Sequence, residues 1–140
     1  MKLTTQTDYA LRTLMFLATR RSRANVADVA SLFDISASHV AKVVNLLARH
    51  GYIRSIRGAG GGIELALAPK DISIGAVIAS METDMHLLSC VGSDDSCAIH
   101  TFCKLKGVLA EAERVQRNYL DSVTLADVVP TRRQLQLSTV

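Results

Sequence analysis

Three cysteines, Cys90, Cys97 and Cys103, crowd into one short stretch of a 140-residue chain. The run Cys90-Val-Gly-Ser-Asp-Asp-Ser-Cys97-Ala-Ile-His-Thr-Phe-Cys103 has a C-x6-C-x5-C spacing and no hydrophobic periodicity. An odd number of closely spaced thiols is a poor disulfide framework. Thiolates suit zinc and iron–sulfur clusters. Structural zinc prefers four protein ligands and commonly uses C-x2-C pairs, which are absent. Three thiols plus one ligand from elsewhere suit a cluster better. Zinc, a redox switch through one disulfide, and three incidental thiols stay open at this point.

A second set of residues points to nucleic acid. Ser38, Lys42, Asn45 and Arg49 recur at i, i+4, i+7 and i+11, with His39 beside them. On a helix these form one polar face, rich in donors to base edges and phosphates. The N-terminal part of such a helix enters the major groove. Ser38, His39 and Lys42 are therefore placed near bases, and Ser36 or Arg49 nearer the backbone. The competing reading is an ordinary solvated face. The next segment of the chain decides between them. Alternating segments, Tyr52–Arg57 and Ile63–Leu67, flank the run Gly58-Ala59-Gly60-Gly61-Gly62, the pattern of a β-hairpin. A hairpin directly after two short helices is a wing. Arg57 stands at its tip, where Gly58 and Gly60 permit close approach to DNA, and arginine suits a narrow minor groove. A phosphate-cradling loop is disfavoured, because no Lys-Ser/Thr and no helix come after the glycines.

The elements that must position these groups are legible around them. Residues 5–20 read as a first helix, with Thr7, Leu11, Leu14 and Ala18 on its apolar face. Asn25, with Asp28 three residues on, caps a second helix whose stripe is Val26, Val29, Ala30 and Phe33. Ser36 caps a third, with Val40, Val43, Val44 and Leu47 inward and Gly51 as its C′ residue. Two short helices joined by about three residues form a helix-turn-helix. Pro69 closes the hairpin, and Ser73 caps a short helix with Ile74, Val77, Ile78 and Met81 inward. After the cysteine loop a long helix runs over 104–121, with Leu105, Val108, Leu109, Ala112, Val115 and Tyr119 as a narrow stripe. At 1.5 Å per residue it spans about 27 Å, a natural dimerisation element. Thr124 caps a last short helix, Leu125–Val129, ended by Pro130, and residues 131–140 read as a frayed tail. The expected fold is mainly α with one small β-hairpin. Residues 1–70 are a winged helix-turn-helix DNA-binding domain. Residues 71–140 hold a short helix, the cysteine loop (84–103), the dimerisation helix and the tail.

Charge agrees with this division. Residues 1–70 carry ten Lys/Arg and four Asp/Glu, whereas residues 71–140 carry six and nine. The basic first half suits an anionic partner, with nucleic acid ahead of a membrane surface. No apolar run approaches a membrane span, and the start MKLTTQTDYALR does not read as a signal peptide, so a cytoplasmic protein without a membrane partner is expected. No acid/base pair, nucleophile elbow or phosphate loop is present, and an enzyme is not expected.

The opening MKLTTQTDYALR, the helix-turn-helix with Ile35-Ser36, the wing Arg57-Gly58-x-Gly60-Gly61-Gly62 and the three-cysteine loop resemble the IscR/NsrR/RirA superfamily of winged-helix iron–sulfur regulators. The likeness runs from residue 1 to about 129 and is greatest to its NsrR-like, nitric-oxide-sensing members. It implies a homodimeric repressor of nitric-oxide detoxification genes, bound to a double-stranded DNA operator. It also implies a 4Fe–4S cluster, with 2Fe–2S as the alternative. IscR-like members place a histidine three residues after the last cysteine, where this chain has Lys106. NsrR-like members complete the site with a carboxylate from the other subunit, and Asp8 matches that position. Without the resemblance, Asp8 reads as a carboxylate complementing the helix dipole. His100 and His86 are alternative ligands, read first as facing solvent. The first cysteine interval varies within the superfamily. Sensing of iron or cluster supply, and thiol redox sensing without iron, are the rival functions.

Overall fold

Side-chain caps set where the helices begin in a computed structural model that describes residues 2–136. Thr4 caps α1 (Thr5–Arg20), its Oγ1 accepting from the Thr7 N–H at 3.3 Å. Asn25 and Asp28 cap α2 (Val26–Phe33) reciprocally, each side chain accepting from the other's backbone N–H. Ser36 caps α3 (Ala37–Arg49) and Ser73 caps α4 (Ile74–Met81). Gly51 comes after α3 at φ 82°, a backbone conformation glycine adopts freely. The expected stops and starts of these four helices are thus observed, with Thr4 as a cap that periodicity alone did not disclose.

The wing is an antiparallel pair, β1 (Ile53–Ile56) and β2 (Gly62–Leu65), in register from Ile53 opposite Leu65 to Ile56 opposite Gly62. Ala24, between α1 and α2, adds a short third edge: its N–H donates to Ile63 O at 3.0 Å and its carbonyl accepts from Ile63 N–H at 2.7 Å.

α1 lies in the middle of the core. Leu14 and Phe16 pack with Val40, Val43 and Leu47 of α3, Val77 and Ile78 of α4, and Ile72 and Leu125. Because α1 meets α3, α4, β2 and the last short helix, its buried arc is wider than one stripe. Ala10, Thr13, Leu17 and Thr19 are buried, whereas Leu11 is only half-buried. The buried hydroxyls do not go unpaired. Thr13 donates to the Tyr9 carbonyl at 2.7 Å, and Thr19 lies 2.9 Å from the Met15 carbonyl.

α5 (Lys104–Ser122) leaves the cysteine loop and returns to the core through its C-terminal end, where Leu120 and Val123 pack. Gly75 of α4 permits that contact: a Cβ there would collide with Asp121 and lie 2.8 Å from the Leu120 carbonyl carbon. The stripe Leu105, Val108, Val115 and Tyr119 faces solvent, with Tyr119 68% exposed. α6 (Leu125–Val128) comes next, Asp127 accepting from the Thr124 N–H at 2.8 Å. Residues 131–136, read as frayed, form a hydrogen-bonded turn in which Thr131 and Gln134 bond each other's N–H and side chain at 2.8 and 3.1 Å. The rest of that tail, 137–140, lies outside the described residues. Among the described residues no helix is long and apolar enough to cross a membrane.

Candidate functional site

Two surfaces hold the residues singled out by chemistry. On α3, Ser38, His39, Lys42, Asn45 and Arg49 are all exposed, while Val40, Val43, Val44 and Leu47 are buried on the opposite side. Amphipathicity alone turns the donor face outward. Ser36 Oγ accepts from the His39 N–H at 3.3 Å, so this side chain is engaged in capping. The His39 ring lies 6.3 Å from that of Tyr9, centre to centre, and a groove of about 630 Å³ runs between the start of α1 and α3.

At the wing, Arg57 is exposed beside the turn. Gly58 (φ 90°) and Gly60 (φ 73°) sit in left-handed backbone with open space around them, so their requirement is conformational. Gly61 and Gly62 are required for another reason: a Cβ would strike the Ile56 carbonyl at the first and the Ala24 carbonyl at the second. Acidic groups nearby pair with specific cations. Asp28 takes Arg20 at 3.2 Å, and Glu64 takes Arg23 at 3.2 Å and Arg54 at 3.1 Å. Among the described residues, Lys42, Arg49 and Arg57 are in no ion pair, which leaves their charge for a polyanion.

The second surface is the segment after α4. Cys90 lies half-buried in a one-turn helix, Ser89–Val91; Cys97 is exposed; Cys103 is half-buried at the cap position of α5, without a capping hydrogen bond. All three thiols are free. Cys103 stands at the positive end of the α5 dipole, where a negative charge is favoured. Among the described residues of one chain, no three His, Cys, Asp or Glu side chains converge into a metal site. The donor set itself, three unbridged thiols on one irregular loop, fits the soft-ligand chemistry of iron–sulfur clusters.

The loop is tied down by polar contacts. Asp94 accepts from Ser89 Oγ at 3.2 Å and the Ser96 N–H at 2.9 Å, and these bonds, Ser96 foremost, hold its carboxyl below the usual range. Lys106 reaches Asp95 at 3.4 Å. Buried Glu113 accepts from the Leu87 N–H at 2.7 Å and lies 3.0 Å from His86 Nδ1. Those two contacts, the Leu87 bond first, keep the Glu113 carboxyl below its ordinary value. His86 thus has one ring nitrogen engaged by Glu113, and His100 Nδ1 lies 3.1 Å from the Cys97 carbonyl.

Asp8 lies on the first turn of α1, half-exposed, and pairs with Arg12 through both carboxylate oxygens at 2.8 and 3.0 Å. Just before it, the N-terminus of α1 is held from a distance. Glu82 Oε1, at the C-cap of α4, accepts from Thr4 N–H at 2.7 Å, Thr4 Oγ1 at 3.0 Å and Thr7 Oγ1 at 2.6 Å. The residue that opens the cysteine segment therefore grips the turn that carries Asp8. Glu82, Glu113 and Arg23 were not found by sequence reasoning. Their partners lie up to 78 residues away, and no local pattern records such a contact.

The resemblance drawn from the sequence is borne out by comparison with known proteins. Residues 3–131 match the Rrf2 family model, described as an iron-dependent transcriptional regulator. The chain is 43% identical over 132 residues to the HTH-type transcriptional regulator NsrR of Bacillus licheniformis, covering 92% of each chain. It is 41% identical over 138 residues to that of Bacillus subtilis, covering 96% of this chain and 94% of the relative. Among solved structures it shares the fold of T. potens IscR, with TM-score 0.75 at 24% identity over all of this chain and 94% of that one. CymR of B. subtilis, titled a global cysteine regulator, gives TM-score 0.76 at 23% identity over 92% of this chain and 96% of that one. With a family match over that span and relatives at that identity, the chain belongs to the Rrf2 family and is a winged-helix, DNA-binding transcriptional regulator.

Proposed function

We propose that the chain works as a homodimeric repressor that releases DNA in response to nitric oxide, through an iron–sulfur cluster shared between two subunits. Residues 1–70 form the DNA-reading part. Ser38, His39 and Lys42 contact bases, Ser36 or Arg49 lies nearer the backbone, and Arg57, with Gly58 and Gly60, enters the minor groove. Residues 71–140 form the sensing and pairing part, with the exposed α5 stripe of Leu105, Val108, Val115 and Tyr119 buried against its counterpart. Cys90, Cys97 and Cys103 of one subunit, with Asp8 of the other, hold the cluster, most consistent with a 4Fe–4S type. When bound, the cluster would supply iron able to react with nitric oxide.

The observation that carries this reading is the Glu82 contact, which joins the start of the cysteine segment to the N-terminal turn of α1. A change at the loop reaches Thr4 and Thr7 directly, and α1 packs on α3, the DNA-reading helix. Asp8 is available for the ligand role because it is half-exposed and its present partner, Arg12, is a half-exposed side chain on the same helix. A carboxylate is a harder ligand than a thiolate and the easier one to displace. Arg12, one turn away, would pair with the Asp8 carboxylate whenever that carboxylate is not a ligand. Two recognition helices that shift against each other no longer match half-sites roughly 34–36 Å apart, and repression is lifted.

A second reading, sensing of iron or cluster supply, draws support from the family description as iron-dependent. One experiment separates them. Protein purified without oxygen should carry iron and sulfide and a visible absorption spectrum, and Asp8→Ala should alter both that spectrum and its response to nitric oxide. Colourless protein with intact thiols and DNA binding would sink the cluster. An unchanged Asp8→Ala spectrum and response would remove the carboxylate ligand.

A further inference from the structure

Arg23 lies in the connection between α1 and α2, outside the recognition helix and the wing. Its Nη1 donates to the Gly60 carbonyl at 3.0 Å, and its Nε donates to Glu64 Oε2 at 3.2 Å. The next residue, Ala24, pairs with Ile63 in both directions, and its carbonyl sits so close to Gly62 that any side chain there would collide with it. Two consecutive residues therefore grip the hairpin from its turn at Gly60 to Glu64 of β2. The other oxygen of Glu64 accepts from Arg54 Nη2 at 3.1 Å, directly across the strands.

The wing needs such a grip. A two-stranded ribbon is marginal on its own. Its turn passes through Gly58 and Gly60 in left-handed backbone, so the turn is not stiffened by side chains. Among the described residues, the one side-chain hydrogen bond to that turn from outside the hairpin is Arg23 on Gly60. The guanidinium is suited to this. It presents several N–H donors in a fixed fork, and so satisfies a carbonyl and a carboxylate at once, which a lysine ammonium does not do with the same geometry.

We propose that Arg23 is the positioning residue of the wing: by holding the Gly60 carbonyl and the Glu64 carboxylate it sets where Arg57 meets DNA, without touching DNA itself. This rests on the reading of Arg57 as a DNA contact. It separates two jobs within one basic cluster. Arg57 is exposed with no protein ion pair among the described residues, whereas Arg23 and Arg54 are both engaged by Glu64. Only the former has its charge free for a phosphate or a groove.

The test uses the full-length protein, purified without oxygen, and a DNA duplex enriched from a random-sequence library by the unaltered protein. Affinity for that duplex is compared at one salt concentration for R57A, R23A, R23K and the double variant R23A/R57A. Arg23 is 44% exposed, so the variants are expected to fold, and thermal unfolding of each checks this. R57A is expected to bind about tenfold more weakly. R23A and R23K should each weaken binding to a similar extent, and the double variant should bind no more weakly than R57A. Three results overturn the proposal while leaving Arg57 in place: R23K binding like the unaltered protein, which would mark a phosphate contact made by charge alone; losses that multiply in the double variant; or Arg23 variants that bind normally while R57A does not. R57A binding as the unaltered protein removes the wing contact itself, and the role of Arg23 with it.

Discussion

The winged half and the cysteine segment are held by different forces. Leu14, Val29, Val40 and Leu47 are sealed from solvent, and the helices around them are closed by side-chain caps. From Glu82 to Ala112, by contrast, no residue is buried. That segment is fastened at discrete polar points: Glu82 on Thr4 and Thr7, Asp94 on Ser89 and Ser96, Glu113 on Leu87 and His86, Lys106 on Asp95. Packing resists deformation in every direction, whereas a few hydrogen bonds can be exchanged one at a time. A regulator needs both properties. In the proposed function the DNA face must keep its shape, and the cysteine segment must open at low cost in free energy.

The largest expected effect breaks the comparison on the packed side. Leu14→Ala should lose about 2–5 kcal/mol in urea unfolding. Phe102→Ala, which removes a larger side chain that is 70% exposed, should change stability by less than about 0.5 kcal/mol. Equal losses would mean that the loop is packed after all.

Next come the DNA contacts. Lys42→Ala and Arg57→Ala should each weaken binding to the enriched duplex by about 1–3 kcal/mol if they reach bases, with unfolding curves unaltered. Unchanged affinity would return these residues to an ordinary solvated face.

The smallest effect is one of pH and sharpens the other side. Burial pushes the Glu82 carboxyl up, but the bonds from Thr7 and Thr4 together bring it below the ordinary 4.5. Glu113 lies below 4.5 as well, through Leu87 first and His86 second. A carboxylate whose value is depressed in the folded state adds stability above its unfolded value, and that stability is lost as the pH falls through the folded one. Below about pH 4.5 the Leu87 amide should therefore lose protection from hydrogen exchange, corrected for intrinsic rate, before the amides of α1 around Leu14. Simultaneous loss would mean that the loop and the core open together.

The legibility of the sequence divides along the same line. The helices of the winged half were legible because caps and apolar stripes are local signals: Asn25 with Asp28, Ser36, and the spacing of Val40, Val43 and Leu47; Ser73 marked the start of α4 in the same way. The α5 stripe was legible too, and Leu105, Val108, Val115 and Tyr119 are exposed. The wing was legible from its glycines, although the reason differs by position, conformational at Gly58 and Gly60 and steric at Gly61 and Gly62. The candidate site was legible only as a set of donor types. Cys90, Cys97 and Cys103 announce themselves by residue type, but the ties that connect them to the rest do not. Glu82 and Glu113 look like surface carboxylates until the fold brings Thr4 and Leu87 to them.

In the proposed function the cysteine segment governs the grip of α3 and the wing on DNA. The most direct test titrates nitric oxide, without oxygen, into the protein bound to its enriched duplex, while DNA release and the visible spectrum are monitored in the same cuvette. On that reading DNA should be released in step with the spectral change, and Glu82→Ala, which removes the acceptor of the Thr4 and Thr7 bonds, should uncouple the two, leaving the spectrum responsive and the release impaired. DNA that stays bound after the spectral change is complete in the unaltered protein would contradict it.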